Sequence, residues 1–193
     1  MLKRIEVPFP EWTDEVMSTD NYVFLDYEST GLGPKAQGIE CAIVRASDES
    51  VIYNSFLKPS CLIEEGAMSI HHITESMVVN APSFRKEWPK MEEAIGGRRV
   101  ITWNAKFDKR IKEQTANAHG VTLSEITWYC AMLEYTRWGN FQTWVKLVDA
   151  CRHQGLDFSQ NHRALGDVMA MLEVFKTVAI KYTTAKIMRG LRT

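Results

Sequence analysis

At 193 residues and a net charge of −1, the chain is long enough for one ordinary hydrophobic core, and a single domain over residues 1–193 is expected. The near-zero charge excludes a histone-like protein or a basic coat for duplex DNA, so a nucleic-acid partner would have to be held locally, by a few basic side chains or by metal ions. The composition, 45% hydrophobic and 24% charged, is that of an ordinary globular protein.

The four cysteines, Cys41, Cys61, Cys130 and Cys151, include no CxxC pair. A zinc ribbon or thioredoxin-like motif is unsupported, and the cysteines read as scattered thiols in a reducing compartment. Residues 1–10 carry Lys3, Arg4 and Glu6 without the apolar core of a secretory signal, and no apolar run approaches a membrane span. A cytoplasmic protein without a membrane partner is expected.

In chain order, Pro8, Pro10 and the acidic Glu11, Asp14 and Glu15 predict a short capped helix in an N-terminal extension, residues 1–20. Residues 21–28 are apolar-rich, end before Gly31 and Gly33, and predict a first strand. Residues 38–46 and 50–58 predict two more, joined as a hairpin by Ser47-Asp48-Glu49. A helix over 83–95 stops at Gly96-Gly97. A short strand over 99–103 leads into a helix over 104–118, with Phe107, Ile111 and Ala118 on one face. A fifth strand over 126–130 precedes helices over 131–138, 143–153 and 162–182. The last of these has Val168, Leu172, Phe175 and Ala179 as its core stripe. Residues 183–193 form a basic C-terminal end. Strands that later alternate with helices predict an α/β layered domain with a mixed sheet of about five strands.

Three segments carry candidate chemistry. In Leu25-Asp26-Tyr27-Glu28-Ser29-Thr30-Gly31, strand alternation puts Asp26 and Glu28 on one face. Two such carboxylates repel unless a cation lies between them, and hard oxygen ligands suit Mg²⁺ or Mn²⁺. Taken alone, the pair reads first as a solvated acidic strand end. In Trp103-Asn104-Ala105-Lys106-Phe107-Asp108, the carboxylate sits in the first turn of a helix, where the dipole alone would favour it. In His162-Arg163-Ala164-Leu165-Gly166-Asp167, Asp167 flanks an apolar stripe and His162 stands at the helix entry, as a cap, a surface residue or a base.

Together the three segments resemble the DEDDh branch of the DnaQ-like exonucleases, which includes the epsilon subunit of bacterial DNA polymerase III. That family has a DxExTG strand end, an NAxFD helix start and an HRAL-x-D helix in this order. Ile39-Glu40 resembles its second-strand IE, Ala67-Met-Ser-Ile-His71-His-Ile-Thr74 its A-x-x-IHGIT segment, and 146–155 the helix before the third motif. The resemblance spans roughly residues 21–180. Two positions depart from it: Trp103 stands where the family often has His, and His72 where it usually has Gly.

The resemblance implies an RNase H-like fold. It also implies a 3′–5′ exonuclease in which Asp26, Glu28, Asp108 and Asp167 hold two divalent ions, Mg²⁺ or Mn²⁺. One ion activates a water, the other steadies the leaving 3′ oxygen, and His162 takes the proton. It suggests Thr30, Gly31, Leu32, His71, Asn104 and Phe107 as holders of the terminal nucleotide, although Phe107 reads first as core. Two basic clusters, around 98–112 and along Lys176, Lys181, Lys186, Arg189 and Arg192, could follow a phosphate backbone or be solvated faces. The expected substrate is a single-stranded or frayed DNA 3′ end, with a polymerase as a possible partner. An exoribonuclease of the RNase T or oligoribonuclease kind is the alternative. A non-catalytic interaction module on the same fold is weakened by the complete catalytic set.

Overall fold

A computed structural model describes residues 1–158 and 162–190. Among them, β1 (Leu2–Lys3), β2 (Tyr22–Ser29), β3 (Gly38–Arg45), β4 (Val51–Phe56), β5 (Arg99–Thr102) and β6 (Trp128–Cys130) form one six-stranded sheet in the order β1-β6-β5-β2-β3-β4. β3 runs antiparallel to β2 and β4, and the contacts of β2 with β5, β5 with β6 and β6 with β1 are parallel. The sheet is therefore mixed, as the early hairpin predicts. The helices are α1 (Phe9–Ser18), α2 (Glu65–His71), α3 (Glu75–Val78), α4 (Phe84–Ile95), α5 (Ala105–Ala118), α6 (Ala131–Trp138), α7 (Leu147–Gln154) and α8 (Ala164–Gly190). None of the described helices is long and apolar enough to cross a membrane.

Alternation along β2 sorts the core into two halves. Tyr22 and Phe24 face α1 and α8, packing with Trp12, Val168, Leu172 and Phe175. Val23, Leu25 and Tyr27 face α4 and α5, packing with Phe84, Trp88, Met91 and Ile111. Phe175 meets Phe9, Trp12 and Phe24 edge-on at centroid distances of 5.4, 5.2 and 5.0 Å. Burying each such ring contributes about 1.5–3 kcal/mol. By the same period of two, Asp26 and Glu28 continue the Tyr22–Phe24 row onto the face that α8 covers.

The structure departs from the sequence reading at several places. The sixth strand is β1, two exposed residues held by backbone pairing with Trp128 and Tyr129, so it leaves no side-chain pattern to read. Residues 1–20 are built into the sheet and its α1 layer. The buried face of α5 is Ala105, Asp108, Ile111, Lys112, Thr115 and Ala116. Ala118 is exposed and Phe107 half-buried, contrary to the expected stripe. Lys112 escapes an apolar count because its ammonium lies over the rings of Trp88 and Trp128, at 5.5 and 5.1 Å. α7 begins at Leu147 rather than 143, because the Val145 N–H is bonded to the Thr136 hydroxyl at 3.1 Å and its carbonyl to the Trp103 indole at 3.1 Å. α8 begins at Ala164 because His162 has φ +48°, outside the right-handed helical region. α8 runs on to Gly190, and Arg192 of the expected basic end lies outside the described residues.

Candidate active site

The site lies at the carboxyl end of β2. Asp26 faces Ala42, and Glu28 faces Glu40, across the β2–β3 ladder. Asp167, in the first turn of α8, comes down onto the same face. Ligand oxygens of Asp26, Glu28 and Asp167 all lie within 4.8 Å of one another. Asp108, in the first turn of α5, approaches from the other side of β2. Its Oδ1 accepts the Tyr27 backbone N–H at 3.2 Å, between the two strand carboxylates.

Crowding and loss of water move these acids in one direction. Asp26 is pushed well above the usual carboxylate range, first by burial and then by Asp108, Glu28 and Asp167. Glu28 rises to about 9, again through burial first, with Asp167, Glu40 and Asp108 adding and Arg163 opposing. Asp108 rises to about 7 by burial, held back by the Thr102 hydroxyl and the Tyr27 N–H. At the edge of the cluster, Arg163 supplies protein-derived relief to Glu28. A hard divalent cation fits this oxygen-only donor set and would remove the repulsion.

The relief at the edge comes from an interaction whose role the sequence alone did not show. Glu28 and Glu40 are like charges directly opposite in the ladder, a destabilising arrangement. Arg163 answers Glu40 with both Nε (3.0 Å to Oε2) and Nη2 (2.6 Å to Oε1). Oε2 also accepts the Ala164 backbone N–H at 3.1 Å, capping α8. The guanidinium lies over the Phe56 ring at 5.1 Å. The clamp sets where α8 starts, and so where Asp167 sits one turn on and His162 just before. Its only sequence signals were an acid in the second strand and an arginine inside the third motif, and their pairing depends on strand register.

The remaining site residues divide by exposure. Thr30 is buried: its hydroxyl accepts the Gln37 N–H at 3.0 Å and its carbonyl the Glu64 N–H at 2.8 Å. A side chain at Gly31 would collide with the Glu64 carboxylate. His71 is buried, and its Nδ1 accepts the Ile73 N–H at 3.0 Å. We therefore assign the proton to Nε2, which donates to the Ser29 carbonyl at 3.1 Å. Burial lowers its pKa. Thr30 and His71 thus brace the loop after β2. Leu32 and Asn104 are exposed, Phe107 is half-buried, and His162 is half-buried within electrostatic reach of His71. His72 takes the left-handed C-cap of α2 at φ +58°, a conformation that glycine adopts without strain.

An α/β nuclease architecture with a carboxylate centre at one strand end is what fold and site define together. The RNase T exonuclease family profile matches residues 23–175, and the chain belongs to that exonuclease family, with an RNase H-like fold. It is 30% identical over 173 residues to "uncharacterized exonuclease CP81" of Escherichia phage 186, covering 83% of this chain and 89% of that one. It is 28% identical over 160 residues to the PolC-type DNA polymerase III of Clostridium perfringens, covering 81% of this chain but only 11% of the polymerase. In fold it is similar to exonuclease X solved with 5′ overhanging duplex DNA (TM-score 0.62, 24% identity, 79% of this chain and 89% of that one). It is also similar to the nuclease domain of 3′hExo bound to rAMP (TM-score 0.66, 16% identity, 84% and 92%).

Proposed function

We propose that this exonuclease is metal-dependent, works in the 3′–5′ direction on single-stranded or frayed DNA ends, and releases nucleoside 5′-monophosphates. The observation that carries the reading is the convergence of Asp26, Glu28 and Asp167 within 4.8 Å, with Asp108 against the same strand. These four carboxylates would hold two Mg²⁺ or Mn²⁺ ions, which supply positive charge for the phosphoryl oxygens and make bound water acidic at neutral pH. Four carboxylates balance two dications.

In this reading His162 takes the proton of the attacking water as the phosphorus–O3′ bond breaks. It stands just before α8, half-buried and within electrostatic reach of His71. Leu32, Asn104 and Phe107 offer accessible surface to the terminal nucleotide, while Thr30, Gly31 and His71 keep the loop beneath it in shape. The DNA-bound neighbour and the polymerase relative support DNA as the substrate and work beside a polymerase, and the reading places that work in the cytoplasm. The rAMP-bound neighbour makes an exoribonuclease the second reading.

The test is digestion of one oligomer sequence as DNA and as RNA, labelled at either end, with Mg²⁺, Mn²⁺ or EDTA. The proposal expects 5′-labelled DNA to shorten stepwise and its RNA counterpart to react more slowly. Faster turnover of RNA would move the protein to the second reading, and release of the 5′ label as mononucleotide at the outset, without shortened labelled intermediates, would end the 3′–5′ assignment.

A further inference from the structure

A groove runs beside the start of α5, lined by Lys106, Phe107, Arg110, Met132, Leu133 and Trp144 among others. It adjoins the carboxylate cluster through one helical turn. Phe107 and Asp108 are consecutive, and Asp108 is turned inward to the Tyr27 backbone. Both features lie on the edge of the sheet where the parallel strands β2, β5 and β6 end.

Three observations bear on the occupant. The first is charge: among the described residues, Lys106 and Arg110 line the groove and no carboxylate does. Arg110 donates to the Leu32 carbonyl at 2.9 Å and lies over the Phe107 ring at 5.4 Å, and the other basic side chains near the second motif are engaged elsewhere, Arg98 with Asp20, Arg99 with Tyr22 and Glu15, Lys109 with Glu113, and Lys112 between two indoles. The second is Trp144, 71% exposed although it is one of the largest apolar side chains. It ends a run, 137–144, that also exposes Trp138 and Phe141 and contains no acid. The third is rigidity. Val145, the next residue, is buried, and its N–H and carbonyl are held by Thr136 and Trp103. The ring is presented on a fixed backbone, which lowers the entropy cost of binding.

We infer that this groove holds the single strand just upstream of the terminal nucleotide, with Trp144 stacked on a base and Lys106 facing a phosphate. The inference rests on the exonuclease reading and adds the route by which the strand enters. An aromatic platform with nearby cations is what a flexible strand with flat bases and a charged backbone requires, whatever its sequence. Apolar lining without acids also fits that strand better than a basic peptide.

The test uses the full chain with Trp144→Ala, Trp144→Phe and Lys106→Gln. The substrates are the p-nitrophenyl ester of thymidine 5′-monophosphate, which fills only the terminal site, and an octathymidylate. Trp144→Ala should lower kcat/KM on the octamer about tenfold relative to the ester, the loss of one stacked base. Phe should restore most of it. Lys106→Gln should flatten the salt dependence of octamer binding. Equal losses on ester and octamer, or no rescue by Phe, would overturn the inference. If the wild type hydrolyses neither compound, the exonuclease reading fails separately. The groove is then judged by octamer affinity in EDTA, where a Trp144→Ala Kd within twofold of wild type rejects it.

Discussion

Arg163 grips Glu40 through two guanidinium nitrogens, and Glu40 in turn caps the backbone of α8 at Ala164. The pair is a positioning device, since neither residue belongs to the carboxylate trio, yet it fixes the helix that brings Asp167 to Asp26 and Glu28. Glu40→Gln keeps the shape and removes the charge. It should cost about 1–3 kcal/mol of stability, towards the lower end because Arg163 is partly exposed to water. The larger effect should be on kcat, with KM for a single strand changing less. Denaturant melts and steady-state kinetics check both, and wild-type kcat in a stably folded variant would remove the clamp from the account.

His162 precedes α8 with a left-handed backbone and is assigned proton transfer. His162→Ala should lose about 10²–10⁴-fold in rate while still being stabilised by Mn²⁺, because the carboxylates are intact. A rate within a few-fold of wild type would take His162 out of the mechanism.

Trp103 donates its indole N–H to the Val145 carbonyl. Trp103→Phe leaves that carbonyl without its partner, at a cost of about 1–2 kcal/mol, and should lower Tm by about 2–8 °C for a chain of this size. It should also weaken octathymidylate binding through the loosened Trp144 backbone. Unchanged melting would show that the bond is not holding the segment.

Most strands and the three acidic motifs were legible because their signals are local: period-two alternation around Asp26 and Glu28, a glycine stop at Gly96, and the apolar stripe of α8 starting beside Asp167. What was not legible depends on register or on backbone bonds. Glu40 meets Glu28 only because of how β2 and β3 pair. β1 has two exposed side chains and is held through its backbone. α5 buries Asp108, Lys112 and Thr115, polar residues that an apolar count discards. The resemblance suggests Thr30 and His71 as nucleotide holders, and their polar atoms also brace the loop, a role that spacing does not show.

The raised carboxyl groups set a pH dependence for the metal-free protein. Glu28 near 9, Asp108 near 7 and the elevated Asp26 hold protons in the fold that the unfolded chain releases near pH 4. Between those limits the folded state binds more protons, so stability falls as pH rises. In EDTA, Tm should decline from pH 5 to pH 9, and Mn²⁺ should raise it more at the alkaline end. A Tm that climbs steadily across this window in EDTA would contradict the crowded-carboxylate picture.

The most direct measurement is the melting temperature of wild type and Asp167→Asn, with and without Mn²⁺. A cation that binds only the folded state stabilises it by RT ln(1 + [L]/Kd). Asp167→Asn removes one charge from the cluster and one hard ligand, while keeping the side chain's shape. The account predicts that the variant melts no lower than wild type in EDTA, gains clearly less from Mn²⁺, and is nearly inactive. Equal gains from Mn²⁺ in both proteins would contradict it, for then Asp167 is not a ligand and the third motif has been misread.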